Sequence, residues 1–184
     1  MTESNINVMQ YQAVTDQAPI VTDAYRDGMR LLAAGVCLIT SSHNNEPGGM
    51  IATAVTSVSA EPPSLLVCVN RSASMFGMIQ ASGHFCVNVL TKDAVSLVEI
   101  FSSSARRAER FQRGDWTTSA NGLPVCAEAL VTFECRLARI IDWHSHGIFF
   151  GEVTGVIHPR ADASPLLYMD RRFHQLSELT APGI

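Results

Sequence analysis

A segment rich in glycine and in small hydroxylated residues runs from Pro47 to Ser59. Its glycines allow positive φ and a close approach of a ligand to the backbone. Its amides and hydroxyl groups could bind the polar edge of a flat ligand, although an exposed Thr- and Ser-rich strand would look the same. The candidate binding residues in this segment are Met50, Ile51, Ala52, Thr53, Ala54, Ser57, Val58 and Ser59.

A second polar group stands where a predicted strand passes into a predicted helix. It comprises Asn70, Arg71, Ser72 and Ser74. The first N–H groups of a helix lack internal partners, and the helix dipole favours an anion at that end. Together with the serine hydroxyls and the charge of Arg71, this position predicts a phosphate site. The alternative is an ordinary helix cap beside a solvated arginine.

Two histidines flank Ser145 just before another predicted strand. His144 and His146 have the spacing of a metal-binding pair, but no third ligand stands at a convincing spacing, so no metal site is predicted. We interpret His144 as a surface residue. His146 could hydrogen-bond a nicotinamide carboxamide or supply a proton near neutral pH. A serine hydrolase lacks support because there is no G-x-S-x-G motif.

Four arginines recur in the polar segment 102–122: Arg106, Arg107, Arg110 and Arg113. They could contact a phosphate or an acidic partner. The acidic residues interleaved with them favour a solvated helix face instead.

Composition limits the class of protein. With 184 residues, 47% of them hydrophobic and 16% charged, the chain can build one domain with a substantial core. A net charge of -4 argues against a nucleic-acid partner. The five cysteines are odd in number and form no C-x-x-C pair, which favours free thiols in a reducing cytoplasm. The sequence shows no secretory signal and no membrane span, so a cytoplasmic protein without a membrane partner is expected.

The hydrophobic pattern predicts a mainly β chain with a few helices. We expect a flexible arm over residues 1–21, one domain over 22–178 and a tail over 179–184. A helix is predicted from Thr22 or Asp23 to Gly35, with one apolar stripe at Tyr25, Met29, Leu32 and Ala33. A second helix is predicted over 72–82, with Gly83 as the residue that ends it. A third is predicted from Thr91 or Asp93 onward, with one apolar face at Ala94, Leu97, Val98 and Phe101. Strands are predicted over 36–40, 50–58, 65–69, 85–90, 129–141 and 148–157, the fifth half-buried. Because the short strands do not alternate with long helices, an antiparallel, closed or partly closed β-barrel is favoured over a doubly wound sheet.

Several blocks of sequence, in this order, resemble the flavin reductase-like family, whose fold is the FMN-binding split β-barrel. The resemblance covers roughly Tyr25 to Leu176. Within the family the chain looks most like the reductase components of two-component aromatic monooxygenases, of the 4-hydroxyphenylacetate and chlorophenol type. The blocks are GMIATAVTSV from Gly49, PPSLLVCVN from Pro62, CVNVL from Cys86 and RRFH from Arg171.

The resemblance implies a homodimer with a flavin site near the subunit interface. It implies reduction of FAD or FMN by NADH, with NADPH as the second possibility, and release of reduced flavin to a separate flavin-dependent monooxygenase. Residues 50–59 would hold the isoalloxazine ring, residues 70–74 the flavin phosphate, and His146 would lie near the nicotinamide. The family pattern also implicates Phe101 and Arg107 near the flavin's tail, and Tyr168, Arg172 and Phe173 near the active site.

Two positions depart from the family pattern. Ile51 replaces a threonine, which removes one hydroxyl near the flavin, and His144-Ser145 replaces the Gly-Asp pair that precedes the histidine. Two other functions also stay open: a flavoprotein that reduces another acceptor, such as a corrinoid, and a non-catalytic flavin-binding barrel.

Overall fold

The computed structural model describes residues 18–158, 160 and 162–178. Three α-helices are present in this part of the chain: α1 (Ala18–Arg30), α2 (Ser74–Ser82) and α3 (Val95–Ser102). Short 3₁₀ turns cover Lys92–Ala94 and Arg107–Glu109. The strands are β1 (Ala34–Gly35), β2 (Cys37–His43), β3 (Glu46–Ala52), β4 (Val55–Ala60), β5 (Pro63–Asn70), β6 (His84–Leu90), β7 (Trp116–Thr118), β8 (Pro124–Cys126), β9 (Ala129–Trp143), β10 (His146–Ile157), β11 (Leu167–Met169) and β12 (Arg172–His174).

Seven strands form one antiparallel sheet in the order β3-β2-β6-β9-β10-β5-β4. The two edge strands, β3 and β4, are consecutive in the chain and are joined only by Thr53 and Ala54. Three Cα–Cα steps span at most about 11 Å, so the sheet must curl until its two edges meet. The predicted antiparallel split β-barrel is therefore confirmed. The single strand predicted over 50–58 is wrong, because the chain crosses from one sheet edge to the other at 53–54.

The barrel interior is filled by apolar side chains from the strands and from α2. Ile39, Val67 and Phe149 are fully buried there, and α2 contributes Met75 and Ile79. Removing each such side chain from water stabilises the fold by about 1.5–3 kcal/mol. Helix α2 therefore has a fixed position relative to the strands beside it.

Helix α3 packs a second core against the other face of the sheet. Its predicted apolar face, Ala94, Leu97, Val98 and Phe101, is buried with Leu38 and other residues of the strands. The prediction of that face is confirmed.

The ends of α2 follow from local chemistry. Gly83 has φ 70°, and its N–H donates to the Ile79 carbonyl at 2.9 Å, as predicted for the residue that ends this helix. The helix begins at Ser74 rather than at the predicted Ser72. The reason is that the Asn70 carboxamide oxygen accepts hydrogen bonds from both the N–H and the hydroxyl of Ser72, which holds a turn before the helix.

The first helix differs from its predicted limits. It ends at Arg30, since Ala34 and Gly35 pair with β11 instead of continuing the helix. Residues 18–21 of the predicted arm belong to α1, whereas residues 1–17 and the tail 179–184 lie outside the described residues. The predicted apolar stripe does not face this chain's core: Tyr25 is 63% exposed and Leu32 is 62% exposed.

Strand β9 carries a buried polar face, contrary to the prediction of a half-buried strand. Thr132 and Glu134 are buried. Glu134 accepts hydrogen bonds from the Ser119 hydroxyl at 2.6 Å and from the Asn121 side chain at 2.9 Å. The loop between β7 and β8 therefore covers this face and satisfies the carboxylate. A residue pattern on β9 alone does not reveal that cover.

All five cysteines are free, as predicted. Burial raises the pKa of Cys37, Cys86 and Cys135 to about 12 and that of Cys126 to about 11. These four thiols are core groups held in the neutral form. Among the described residues, no helix is both long and apolar enough to cross a membrane.

Candidate functional site

A cavity of about 200 Å³, here called the arginine cavity, lies between β3, the start of α2 and the 3₁₀ turn at 107–109. Its walls combine backbone of a glycine pair with a serine and two cations. None of its described lining residues is acidic. The lining residues are Pro47, Gly48, Gly49, Ser74, Arg107, Arg110 and Phe111.

Arg110 is the most constrained cation of this cavity. Its guanidinium donates to the carbonyls of Gly49 at 3.2 Å, Phe101 at 2.7 Å and Ser103 at 3.3 Å. Its Nε is buried without a hydrogen-bond partner in the described structure. Burial lowers the pKa of Arg110, and the charge of Arg107 lowers it further. An anion in the cavity would relieve both effects, so these residues fit the phosphate of a flavin.

The arginines of segment 102–122 lie in two different environments, the surface and the arginine cavity. Arg106 pairs with Glu109 through two hydrogen bonds of 3.0 and 2.8 Å on the surface, which is the solvated helix face that the sequence favoured. Arg107, which the family resemblance implied to lie near the flavin's tail, lines the cavity. For Arg110 the sequence left a phosphate contact open but favoured the solvated face, and the structure places it in the cavity instead. Its spacing of three residues from Arg107, which places both on one face of a helical turn, is the signal that could have favoured the phosphate contact.

The start of α2 contributes less than predicted. Ala73 occupies the cap position, and no described side chain caps the helix. Arg71 forms an ion pair with Asp142 at 2.8 Å, and Ser72 is held by Asn70. Ser74 alone of this group lines the arginine cavity. Arg71 and Ser72, both predicted as phosphate ligands, thus have protein partners and do not line the arginine cavity, so their predicted role is not supported by the geometry.

A wider cleft of about 940 Å³, here called the ring cleft, lies beside the Thr53–Ala54 link between β3 and β4. Helix α1 and Tyr168 form its other walls. An adjoining cavity of about 240 Å³ shares Thr53 and Tyr168 with the ring cleft and is also lined by Ile51 and Phe173. These residues were predicted as cofactor contacts from distant parts of the sequence, and the structure brings them together.

The structure places other predicted residues away from this cleft. Phe101 is only 3% exposed and packs against Phe111 and Trp116, so it supports Gly49 from the core rather than touching a flavin tail. Met50 packs on the barrel core, and Ala52 is buried. Both positions point inward because side chains alternate along β3. Arg172 is exposed on β12 and lines neither of the cavities beside Thr53.

The predicted contacts on β4 belong to another part of the barrel. Ser57 lies opposite Leu65 on β5, which is about 17 Å along that strand from Asn70. Ser57 and Ser59 line a separate, mainly apolar cavity of about 440 Å³, and Val58 is 48% exposed on the same edge strand. Within one chain, these three residues do not join the group around Thr53.

The glycine pair serves packing. Neither Gly48 nor Gly49 has positive φ; the turn before β3 is made by Asn44 and Asn45, with φ 53° and 63°. A Cβ on Gly49 would come within 2.6 Å of the Phe101 ring, and one on Gly48 would collide with Met78. The predicted use of positive φ here is wrong, because both glycines lie within the extended strand β3. A side chain is excluded at both positions because core side chains occupy the space that a Cβ would need.

His146 is exposed and begins β10. Its Nδ1 lies 2.9 Å from the Ser145 hydroxyl, and the Ser145 carbonyl accepts a hydrogen bond from the Arg71 amide. His144 has φ 49° and contacts the Trp143 ring edge-on. No group of three or more potential metal ligands occurs in the described part of the chain.

The strand register places His146 in the same region of the barrel as the Thr53–Ala54 link. His146 lies opposite Asn70 on β5, and Cys68, two residues back, donates its N–H to the Ala54 carbonyl. Strand geometry then separates His146 from Ala54 by roughly 12 Å. Gly49 in the arginine cavity and Thr53 at the ring cleft, just after the end of β3, are four residues apart, about 13 Å of extended chain.

Comparison with known proteins identifies the family. Residues 29–177 match the flavin reductase like domain. The chain belongs to this family. It is 40% identical over 160 residues to the FMN reductase (NADH) RutF of Stutzerimonas stutzeri, which covers 87% of this chain and 91% of that protein.

Solved structures of the family share the fold. BorF, the flavin reductase component of a bacterial two-component tryptophan halogenase, has 31% identity and a TM-score of 0.78, over 86% of this chain and 99% of BorF. The Streptomyces globisporus NADH:FAD oxidoreductase SgcE6, in complex with NAD and FAD fragments, has 29% identity and a TM-score of 0.80, over 86% of this chain and 94% of that one. The predicted family and fold are therefore confirmed.

Proposed function

We propose that this chain binds a flavin with its phosphate in the arginine cavity and its ring system in the ring cleft. The chain is an NADH-dependent flavin reductase. The observation that carries the placement is that β3 and the link that follows it border both sites, with Gly49 of β3 at one and Thr53 of the link at the other. An elongated ligand with an anionic end and a flat end fits that arrangement.

The anionic end is supported by charge and by hydrogen-bond donors. Arg107 and Arg110 bring two positive charges to a small cavity, and Ser74 adds a hydroxyl at the start of α2. The cation pair repels itself when the cavity holds no anion. A phosphate there would be stabilised by charge-assisted hydrogen bonds and by the uncapped helix end.

The flat end is supported by the walls of the ring cleft. Thr53 supplies a hydroxyl and backbone groups on one side, and Tyr168 supplies aromatic surface. The Tyr168 ring packs 5.6 Å, centroid to centroid, from that of Phe173, which lines the adjoining cavity. When bound, the flavin supplies the hydride-accepting chemistry. The chain's own contribution is to hold the two reactants in register and to place hydrogen-bond donors beside the ring. His146, in the exposed loop opposite Asn70, is the candidate for orienting the nicotinamide.

The reduced flavin is proposed to leave for a separate flavin-dependent oxygenase. Relatives support a second component: BorF serves a tryptophan halogenase, and another neighbour is the styrene monooxygenase flavin reductase of Pseudomonas putida. A phenol or chlorophenol monooxygenase remains our proposal for the acceptor, resting on the resemblance of the sequence blocks. The four buried neutral thiols support the proposed cytoplasmic location, where thiols stay reduced.

A homodimer is also proposed. The apolar residues Tyr25, Met29 and Leu32 border the ring cleft and are 46–63% exposed in the single chain. A partner subunit covering α1 would bury them and would enclose the cleft. Sedimentation of the purified chain tests this proposal, and a monomer at micromolar concentration would contradict it.

The decisive experiment follows NADH absorbance in mixtures of the purified chain with NADH and either free FMN or free FAD. Turnover with at least one flavin is expected, and NADPH should be a poorer donor. If neither flavin supports NADH oxidation, the reductase proposal fails. Tightly retained flavin with slow turnover of free flavin would instead favour a reductase of another acceptor.

A further inference from the structure

A third cavity, here called the Trp116 cavity, lies next to the arginine cavity and is not used by the proposed reaction. Its volume is about 290 Å³, just below the range of roughly 300–1,000 Å³ typical of ligand pockets. The lining residues are Ser42, Asn45, Pro47, Phe111, Trp116, Thr117, Thr118, Gly122 and Pro124.

The Trp116 cavity continues the arginine cavity. Pro47 and Phe111 line both, so these two residues form a shared wall. A ligand whose phosphate lies beside Arg107 and Arg110 could therefore extend past Phe111 without crossing the barrel. None of the described lining residues of either cavity carries a carboxylate, so a second phosphate would meet no negative charge at the wall.

The walls of the Trp116 cavity suit a purine nucleoside. Phe111 and Trp116 supply half-buried aromatic surface, with ring centroids 4.7 Å apart. The Trp116 indole N–H donates to the Arg113 carbonyl at 2.8 Å, which fixes the ring and leaves no indole donor unpaired. Asn45, Ser42 and the threonines of β7 add donors and acceptors at the rim. Stacking on aromatic side chains with polar groups at the edge is how proteins commonly hold a base.

We propose that the Trp116 cavity holds the adenosine part of FAD, and that this chain therefore binds FAD more tightly than FMN. FAD differs from FMN by an adenosine monophosphate attached to the flavin phosphate, which is the group that the neighbouring cavity would receive. The inference rests on the proposed placement of the flavin phosphate. By this flavin preference the chain would differ from its relatives named FMN reductases and would resemble the NADH:FAD oxidoreductase SgcE6.

The test measures binding of FAD and of FMN to the full chain by isothermal titration calorimetry, without NADH. The wild-type dissociation constant for FAD is expected to be at least threefold below that for FMN. Trp116→Leu keeps an apolar side chain but removes the stacking surface. It should raise the dissociation constant for FAD at least fivefold and that for FMN less than twofold.

A second variant keeps the aromatic cluster intact. Asn45 and Asn44 form the two-residue turn between β2 and β3, and both have positive φ. Glycine accepts that conformation, so either asparagine can lose its side chain without backbone strain. Asn45→Gly should weaken FAD binding at least twofold. Asn44→Gly, which lies outside the cavity lining, is the matched control and should not. If Trp116→Leu lowers the melting temperature markedly, the difference in FAD affinity between Asn45→Gly and Asn44→Gly tests the proposal instead.

Three results would overturn the proposal. The first is equal wild-type affinity for the two flavins. The second is equal weakening of both flavins by Trp116→Leu, which would show that the ring supports the arginine cavity only. The third, from a separate titration of wild type and Trp116→Leu with NADH, is a change in the affinity for NADH alone, which would assign the cavity to the adenosine of the nicotinamide cofactor. Flavin binding without NADH oxidation would contradict the proposed reductase function and not this inference.

Discussion

His146 lies directly opposite Asn70 at the end of the β10–β5 ladder. Next to this pair, the Arg71 amide donates to the Ser145 carbonyl at 2.9 Å, and Asn70 holds Ser72 just before α2. The histidine loop and the approach to α2 are thus tied by main-chain hydrogen bonds. We infer that the group proposed to orient the nicotinamide has a fixed position relative to the start of α2, where the flavin phosphate is proposed to bind.

Replacing the histidine should separate donor binding from flavin binding. His146→Asn removes the imidazole and retains a smaller polar group. We expect the KM for NADH to rise about tenfold, which corresponds to about 1.4 kcal/mol. The dissociation constant for FMN should change less than twofold, because the phosphate contacts lie in the arginine cavity. Steady-state kinetics and calorimetry measure the two quantities.

The neighbouring histidine is the control for that prediction. His144 has φ 49°, a conformation that asparagine tolerates, so His144→Asn introduces no backbone strain. Its kinetic constants should match those of the wild type. Equal effects of the two variants would mean that the loop, and not the His146 ring, determines NADH binding.

Removing the Arg110 side chain should weaken the binding only of flavins that carry a phosphate. Arg110→Met deletes the charge and keeps an unbranched apolar stem. The dissociation constant for FMN should rise at least tenfold, about 1.4 kcal/mol, whereas that for riboflavin should change less than threefold. Calorimetry with both ligands, together with the melting temperature, checks this expectation.

Arg106→Met is the matched control for Arg110. Arg106 is next to Arg107 in the chain and four residues before Arg110, but its side chain does not line the cavity and pairs with Glu109 on the surface. Exposed pairs of this kind contribute about 0–1 kcal/mol to stability. The control should bind FMN as the wild type does. If it weakens FMN binding as much as Arg110→Met, the effect is general electrostatics and not a built phosphate site.

Local patterns predicted the parts of this fold that depend on neighbouring residues. The left-handed Gly83 after α2 and the buried face of α3 follow from spacing and from the lack of a side chain on glycine. Family resemblance supplied Thr53, Tyr168 and Phe173 as one group, and the structure places them around one cavity.

Long-range contacts account for what the sequence did not predict. The break at Thr53–Ala54 exists because barrel closure brings two sheet edges together, and no local signal marks it. The family resemblance implied that Phe101 lies near the flavin's tail, whereas it packs behind Gly49 because α3 lies against the sheet there. Arg110 turns inward because three backbone carbonyls converge on its guanidinium. Each of these outcomes depends on residues distant in the chain.

Filling the space behind Gly49 should destabilise the barrel. A Cβ at this position would lie 2.6 Å from the Phe101 ring and 3.4 Å from the Ile39 carbonyl oxygen. Overpacking of this kind typically costs about 1–3 kcal/mol, so Gly49→Ala should lower the free energy of unfolding by that amount. Urea denaturation measures the change.

Gly77 offers a contrasting alanine substitution. It lies within α2, where an added Cβ would meet no atom within 4 Å. Alanine is a better helix former than glycine, so Gly77→Ala should raise the free energy of unfolding by about 0.5–1 kcal/mol. Destabilisation by both variants would contradict the account of Gly49 as a packing position.

The buried thiols should make the fold sensitive to alkali. Burial raises the pKa of Cys37 from 9.0 to about 12, so the unfolded chain releases this proton at a lower pH than the folded chain. The contribution of the protonated Cys37 thiol to the free energy of unfolding is fully present below pH 9 and is lost as the pH rises from about 9 toward 12. The loss is at most about 1.4 kcal/mol per pH unit for each such thiol.

Urea denaturation between pH 8.5 and 10.5, compared for the wild type and Cys37→Ala, isolates one thiol, because all other titrating groups are shared. The free energy of unfolding should fall less steeply with pH in the variant, and identical slopes would show that Cys37 ionises as readily in the folded chain as in the unfolded one.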